Sequence, residues 1–230
     1  MLYLHAKPRA MFESRVICIC GLPGIGSVGK VAADYLATAL ECSDIKPFFS
    51  DGFPAQVVVS EGQVKLLHAE LKASKERKSM FILSGDAQPL DVVRMYSLSG
   101  EILESLKAEG VEEVITLAAY VGETKDQVLG AASDADLAAE LEKNGIHLLR
   151  NGAIGGLNGL LAGMAPQYGM RGSCLLATTS GANPVDINAA TILLEAIVPL
   201  LGLDLEISLL EPEEELSEAV TCEEVDMNYR

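Results

Sequence analysis

The stretch CGLPGIGSVGK, residues 20–30, follows the apolar run VICIC and leads into the helical pattern VAADYLATAL. It places Gly24, Gly26 and Gly29 in the G-x-G-x-x-G spacing of a turn that joins a strand to a helix in dinucleotide-binding folds. Such turns use glycine where the backbone approaches a ligand or a neighbouring element closely. The stretch therefore predicts a strand–turn–helix unit, which either binds a nucleotide or only joins the two elements.

Two sequence features argue against a complete nucleotide motif. A P-loop has Ser or Thr after its Gly-Lys pair, but Val31 follows Lys30. A dinucleotide site needs an acidic residue at the end of the next strand. Asp51 follows the next predicted strand, but its position matches the required one only approximately. A helix N-terminus can still bind an anion through its backbone N–H groups. A structural turn is the favoured interpretation, and an anion site at Gly24, Gly26, Gly29 and Lys30 is the alternative.

The rest of the chain extends this unit into an α/β fold. Seven apolar runs are typical of strands, several of them continuous, as in strands covered on both faces. They are residues 15–20, 46–50, 55–60, 64–71, 79–85, 112–120 and 173–180. Helical patterns occupy residues 27–41, 91–109, 134–144, 157–168 and 186–201. This alternation predicts a three-layer α/β/α domain around a central mixed, mostly parallel sheet.

One segment departs from the alternation. Residues 55–71 carry two strand-like runs separated by Glu61-Gly62, which predicts a β-hairpin. We expect this hairpin to be an antiparallel addition to the sheet.

Polar, glycine-bearing loops follow four of the predicted strands, at residues 21–29, 84–89, 120–124 and 179–184. The loops after the carboxyl ends of parallel strands lie at one edge of a sheet, where such folds bind ligands. Asp86 and Gln88 lie in the second loop and are candidates to orient a base or a sugar, while Lys30 and Arg94 are the nearest candidate phosphate ligands. Strand-to-helix loops also need such residues for turns and helix caps, and this structural interpretation is equally open.

Composition limits the class of protein. With 49% hydrophobic residues among 230, the chain can bury the core of one domain, which we assign to residues 1–205. Residues 206–230 hold nine acidic residues and one basic residue, and we expect this acidic segment to be helical at first and then mobile. The net charge of −16 opposes binding to nucleic acid or to anionic membranes. No apolar run reaches the roughly 18 residues of a membrane span, and we expect a cytoplasmic protein.

Residues for catalysis are scarce. His5, His68 and His147 have no patterned carboxylate or cysteine partner and no metal-ligand spacing. The five cysteines are odd in number and form no C-x-x-C pair, so we expect reduced thiols. The sequence thus predicts no catalytic set, no metal and no cofactor, which fits a binding protein better than an enzyme.

Five segments, taken in order, resemble the family of proteasome assembly chaperone 2 and its archaeal and bacterial homologues. They are GLPGIGSVGKVAADYL (residues 21–36), SGDAQP (84–89), TLAAYVGE (116–123), NGAIGGLNGLLAG (151–163) and SCLLATTSGANPVDINAATILLEAI (173–197). The resemblance implies a fold like that of nucleoside phosphorylases. It also implies an ATP-independent chaperone that binds proteasome core-particle α subunits.

The same resemblance gives the C-terminus a meaning. Family members that act on archaeal-type proteasomes can end in a hydrophobic-Tyr-any motif that enters pockets between α subunits. This chain ends in Asn228, Tyr229 and Arg230, so tyrosine is penultimate but Asn228 replaces the hydrophobic residue. The resemblance implies partner binding by these three residues, and a tyrosine placed there by chance is the alternative.

Two further expectations concern structure. We expect Gly24 and Gly29 to occupy positions where a Cβ would not fit. We also expect a symmetric homo-oligomer that covers the apolar, weakly charged helices of residues 151–203.

Overall fold

A computed structural model describes residues 11–12, 14–122 and 127–208 of the chain. Ten strands and five α-helices alternate along them. The strands are β1 Ile17–Gly21, β2 Ser43–Phe48, β3 Val57–Ser60, β4 Gln63–Leu66, β5 Ala69–Ala73, β6 Met80–Gly85, β7 Glu113–Val121, β8 Val128–Ala132, β9 His147–Leu148 and β10 Arg171–Thr179. The helices are α1 Val28–Ala39, α2 Val92–Ala108, α3 Ala135–Lys143, α4 Gly156–Met164 and α5 Ile187–Leu200. Short 3-10 turns precede α1 and follow α4.

Eight of the strands form one mixed sheet in the order β2-β5-β6-β1-β7-β10-β8-β9. Its centre is parallel, because β6 pairs in parallel with β1, β1 with β7, and β7 with β10. The antiparallel pairs lie toward the two sides, where β5 joins β6 and β8 joins β10. The predicted α/β class with a mixed, mostly parallel sheet is confirmed.

Helices cover both faces of the sheet, because side chains alternate along each buried strand. On one face, Ile17 and Ile19 of β1 pack into a core shared with α1 and α5. On the other face, Cys18 and Cys20 pack into a core shared with α2 and α4. The two cysteines thus lie on one side of β1 as buried thiols, with their Sγ atoms 3.6 Å apart.

The apolar side of α5 belongs to this core. Ala190, Leu193, Leu194 and Ile197 are fully buried against the sheet and α1. Among the described residues of 151–203, Val185 is the one large apolar side chain that is exposed. The apolar side of α5 thus faces the chain's own sheet, and a symmetric homo-oligomer that covers residues 151–203 stays a prediction.

The predicted hairpin forms, but in a different place. Strands β3 and β4 pair around Glu61-Gly62, whose φ values of 50° and 75° suit the tight turn of a hairpin. The pair forms a separate two-stranded sheet and does not extend the central one. Strand β5, which follows the hairpin, makes the antiparallel addition instead.

No helix in the described residues is long and apolar enough to cross a membrane. The chain stays packed against the α/β domain just beyond residue 205, because Leu205 and Ile207 are partly buried against the core that α1 and α5 share. The hydroxyl of Tyr35 also donates to the carbonyl of Glu206 at 2.7 Å.

Candidate functional site

A crevice of about 490 Å³ lies at the carboxyl ends of the central parallel strands. The loops after β6, β1, β7 and β10 leave the sheet at this edge, as the sequence predicts. Its lining comes from the glycine loop, from Gln88, from the end of β7 and from the start of α4. The residues are Leu22, Gly24, Ile25, Gly29, Gln88, 118–121, 153–156, Asn158 and Leu176. The sheet topology therefore brings the glycine loop and the family segment 151–163 to one site.

Steric fit explains two glycines of the loop. A Cβ on Gly29 would overlap the carbonyl oxygen of Leu117 in β7, so α1 can approach the sheet closely only with glycine at this position. A Cβ on Gly21 would likewise overlap the carbonyl oxygen of Gly29. These two glycines therefore allow β1, α1 and β7 to pack closely against one another.

The expectation for Gly24 is wrong, whereas that for Gly29 is confirmed. Gly24 has an extended backbone with φ of −166°, which any residue adopts. A Cβ there would lie 3.9 Å from the nearest atom, the carbonyl oxygen of Leu22, at ordinary van der Waals distance. Gly26 has a positive φ of 58°, so its conformation favours glycine although it does not line the crevice.

Two amide side chains connect the glycine loop to α4. Asn158 is buried and binds both backbone groups of Leu22, accepting from its N–H at 3.3 Å and donating to its carbonyl at 3.2 Å. Gln88 accepts from the N–H of Leu157 at 2.6 Å and donates to the carbonyl of Pro23. Both amides are therefore engaged by backbone groups within the chain.

The predicted rim residues divide into two groups. Gly24, Gly29 and Gln88 line the crevice, whereas Gly26, Lys30 and Asp86 do not. Three charged candidates pair with other groups in the chain. Lys30 Nζ lies 2.8 Å from Asp34 of its own helix, Arg94 lies 2.8 Å from Asp51, and Asp86 lies 3.1 Å from the ring and the backbone N–H of His68.

The crevice is mostly apolar. Its described lining combines aliphatic side chains such as Leu22, Ile25 and Ile154 with glycines, and it includes no charged side chain. No group of three or more potential metal ligands occurs in the described ranges either. This surface fits an apolar group better than a phosphate. Lys30 and Arg94, the candidate cationic ligands of an anion at the glycine loop, do not line the crevice and pair with Asp34 and Asp51.

Comparison with known proteins decides the family. A model of the PAC2 family matches residues 18–225. The chain belongs to the PAC2 family. An uncharacterized protein of Methanocaldococcus jannaschii is 34% identical over 201 residues, which are 85% of this chain and 77% of that protein.

Two solved structures from Pyrococcus furiosus are similar to this chain in both sequence and fold. PbaB, described as an archaeal proteasome activator, is 31% identical with a TM-score of 0.75, covering 83% of this chain and 85% of its own. PbaA, described as an archaeal homolog of proteasome-assembly chaperone, is 30% identical with a TM-score of 0.73, covering 84% and 79%.

A cluster of charged side chains lies at the amino ends of the central strands, opposite the end that carries the crevice. Glu113, at the start of β7, is fully buried and accepts from Arg15 at 2.9 Å. Arg15 also contacts Glu140 of α3 at 2.9 Å, and Glu140 lies 3.3 Å from Arg171 of β10. Burial raises the pKa of Glu113 to about 6, although the charges of Arg15 and Arg171 act to lower it. This cluster connects elements and lies away from the crevice.

Sequence reasoning missed Asn158 as a member of the site. The signal was present, because a lone amide inside the apolar run GLNGLLAG needs hydrogen-bond partners if its helix is buried. The predicted tail residues Asn228, Tyr229 and Arg230 lie outside the described residues.

Proposed function

We propose that this PAC2 protein is an ATP-independent chaperone-like protein that binds proteasome α subunits. The observation that carries the proposal is family membership over residues 18–225, together with relatives described as a proteasome activator and a proteasome-assembly chaperone homolog. Binding would use the acidic surface for recognition and the C-terminal residues Asn228, Tyr229 and Arg230 for docking. The chain acts as a binding protein and not as an enzyme.

The crevice supports a binding role. The amides of Gln88 and Asn158 hold backbone groups, and Lys30 and Asp86 pair elsewhere. General acid–base catalysis needs a titratable group within hydrogen-bond reach of a substrate, and the described lining supplies only the phenol of Tyr120.

Charge supports the choice of client surface. The net charge of −16 disfavours acidic partners and favours a basic face on an α subunit. Such complementarity accelerates encounter and selects partners more than it adds affinity. The proposal further includes self-association and a cytoplasmic location. The described cysteines 18, 20, 42 and 174 form no disulfide, which suits a reducing compartment.

The test is binding of the full chain to α-subunit rings from its source, measured on immobilised rings at low salt. We expect saturable binding that weakens at high salt and after deletion of residues 226–230. A matched control replaces residues 226–230 by five residues of equal charge that lack tyrosine. Absence of binding to any α ring at low salt would contradict the proposal.

A small-molecule function through the glycine loop 24–29 is the second candidate, and the crevice is the observation that favours it. Nucleosides, nucleotides and inorganic phosphate are the probes, with the melting temperature as the readout. A rise with a nucleoside that is absent in a crevice variant such as Gly155→Leu would support this function. No rise with any probe would remove it.

A further inference from the structure

The β3–β4 hairpin is the most exposed regular element among the described residues. Every residue of both strands is exposed, and neither strand pairs with the central sheet. Isolated two-stranded hairpins are marginally stable in water and normally need a covered face. The hairpin therefore lacks the packing partner that its composition demands.

The register separates the hairpin into two unlike faces. Val57 lies opposite Leu66 and Val59 lies opposite Val64, so these four side chains share one wholly apolar face. On the other face, Val58 lies opposite Lys65 and Ser60 opposite Gln63. Val59, Val64 and Leu66 are 65%, 70% and 64% exposed, which is unusual for aliphatic side chains that neighbour one another.

A second exposed apolar surface lies at the start of α2. It consists of Leu90, Val92, Val93 and Tyr96, each more than half exposed. It is joined to the segment before the hairpin, because the N–H of Leu90 donates to the carbonyl of Gly52 at 2.8 Å. Ten of the fourteen large apolar side chains that the described residues expose lie between residues 49 and 96. Exposed apolar surface is thus concentrated on this part of the molecule.

Both surfaces carry little net charge. The hairpin carries Glu61 and Lys65, and residues 90–96 carry Asp91 and Arg94, with Asp51 lying 2.8 Å from Arg94 as one further acidic group. Copies of a chain with a net charge of −16 repel each other, and surfaces with little net charge add least to that repulsion when they meet. A basic client, by contrast, would be drawn to the acidic parts of the molecule. The small net charge of these two surfaces therefore favours a second copy of the chain as the occupant.

We propose that the apolar face of the β3–β4 hairpin packs against the start of α2 in a second copy of this chain. The contact joins two different patches, so it can be reciprocal in a dimer or repeat around a ring. A reciprocal dimer of this kind covers both exposed apolar patches of each copy, whereas a hairpin-to-hairpin contact would leave the start of α2 uncovered. This inference rests on the self-association included in the proposed function, and it replaces residues 151–203 as the self-associating surface.

The test uses the purified full chain without α subunits, so its failure is separate from failure of client binding. The hairpin variant is Val59→Thr with Val64→Thr, which removes apolar surface while keeping a high strand propensity. The matched control is Val58→Thr on the opposite face of the same strand. The α2 variant is Leu90→Ser with Val93→Gln. Melting temperatures establish that each variant is folded, and mass is measured by light scattering across a micromolar concentration series.

We expect the wild type and Val58→Thr to form an oligomer with the same dissociation constant. The hairpin and α2 variants should each weaken it by about tenfold or more, as loss of interface anchors does. An equimolar mixture of the two variants should regain dimers, because one variant keeps an intact hairpin and the other an intact α2 surface.

Three results would overturn the proposal. One is a wild type that is monomeric at micromolar concentration. It would overturn the proposal even if the hairpin variant lost client binding, because the hairpin would then bind the client and not a second copy. Another is equal self-association of the wild type and the hairpin variant. The third is a mixture of the two variants that stays monomeric, since an intact hairpin would then fail to bind an intact α2 surface of another copy.

Discussion

At the scale of single residues, the glycine loop shows that one sequence motif can hold glycines with different reasons to be there. Gly29 leaves no room for a Cβ against β7, Gly26 needs its positive φ, and Gly24 meets neither constraint. Close packing against β7 and turn geometry therefore account for Gly29 and Gly26 of the G-x-G-x-x-G spacing, but not for Gly24.

We expect Gly29→Ala to lower the free energy of unfolding by about 2 kcal/mol or more, because the added methyl group must displace the backbone of Leu117. Gly24→Ala is the matched control and should change it by less than about 0.5 kcal/mol. Urea denaturation of both variants measures the difference. Equal loss in the two would mean that steric contact with β7 does not govern the loop.

Asn158 is the residue on which the connection between the loop and α4 depends. Asn158→Leu keeps the size of the side chain but leaves the buried N–H and carbonyl of Leu22 without their partner. We expect a loss of about 3 kcal/mol in the free energy of unfolding. Asn188→Leu, at an exposed position of α5, is the control and should have little effect. A near-neutral Asn158→Leu would show that water replaces the amide.

At the scale of elements, the parallel centre could be predicted from the sequence and the sides of the sheet could not. Runs such as 16–20 and 117–120 are continuously apolar because both faces of the sheet are covered. The five helices begin and end within a few residues of their predicted bounds. Strand β8 was missed because VLGAA offers small residues with no strong strand preference, and β9 has only two residues. The hairpin was predicted, but its separation from the sheet depends on tertiary contacts that no local pattern encodes.

The ion cluster that joins β7, α3 and β10 gives the fold a pH dependence. The pKa of Glu113 is about 6 in the folded chain against 4.5 when unperturbed, mainly because of burial. The folded state binds this proton more tightly, so the stabilisation is present below pH 4.5 and is lost as pH rises through 6. The shift corresponds to roughly 2 kcal/mol. Burial acts to raise the pKa of Glu140, but Arg15 and Arg171 lower it overall, which contributes in the opposite direction.

We therefore expect the stability difference between wild type and Glu113→Gln to change by roughly 2 kcal/mol between acidic and neutral pH. The wild type should be relatively more stable at the acidic end, because glutamine cannot titrate. Thermal or urea unfolding at a series of pH values measures this, with Glu104→Gln on the exposed side of α2 as control. A constant difference across the series would mean that Glu113 is already ionised at its usual pKa.

At the scale of the whole molecule, three surfaces have separate properties. The crevice is mostly apolar and lined by glycine-bearing loops, and the hairpin with the start of α2 is apolar and carries little net charge. The remaining charge is acidic, and nine of the 33 acidic residues lie in residues 206–230. In the proposed function, self-association and client binding would therefore use different parts of the same chain.

The separation makes a kinetic prediction for α-ring binding. Long-range attraction between the acidic chain and a basic client accelerates encounter, whereas short-range docking of Tyr229 would govern how long the complex lasts. We expect added salt to lower the association rate constant with little effect on dissociation.

Tyr229→Ala should raise the dissociation rate constant by on the order of tenfold and leave association unchanged. Asn228→Leu, which restores a hydrophobic residue before the tyrosine, should slow dissociation. Surface plasmon resonance on immobilised α rings separates the two rate constants, and the hairpin variant Val59→Thr with Val64→Thr tests whether avidity from self-association contributes. If neither tail variant changes dissociation, docking belongs to the folded body and the terminal tyrosine is there by chance.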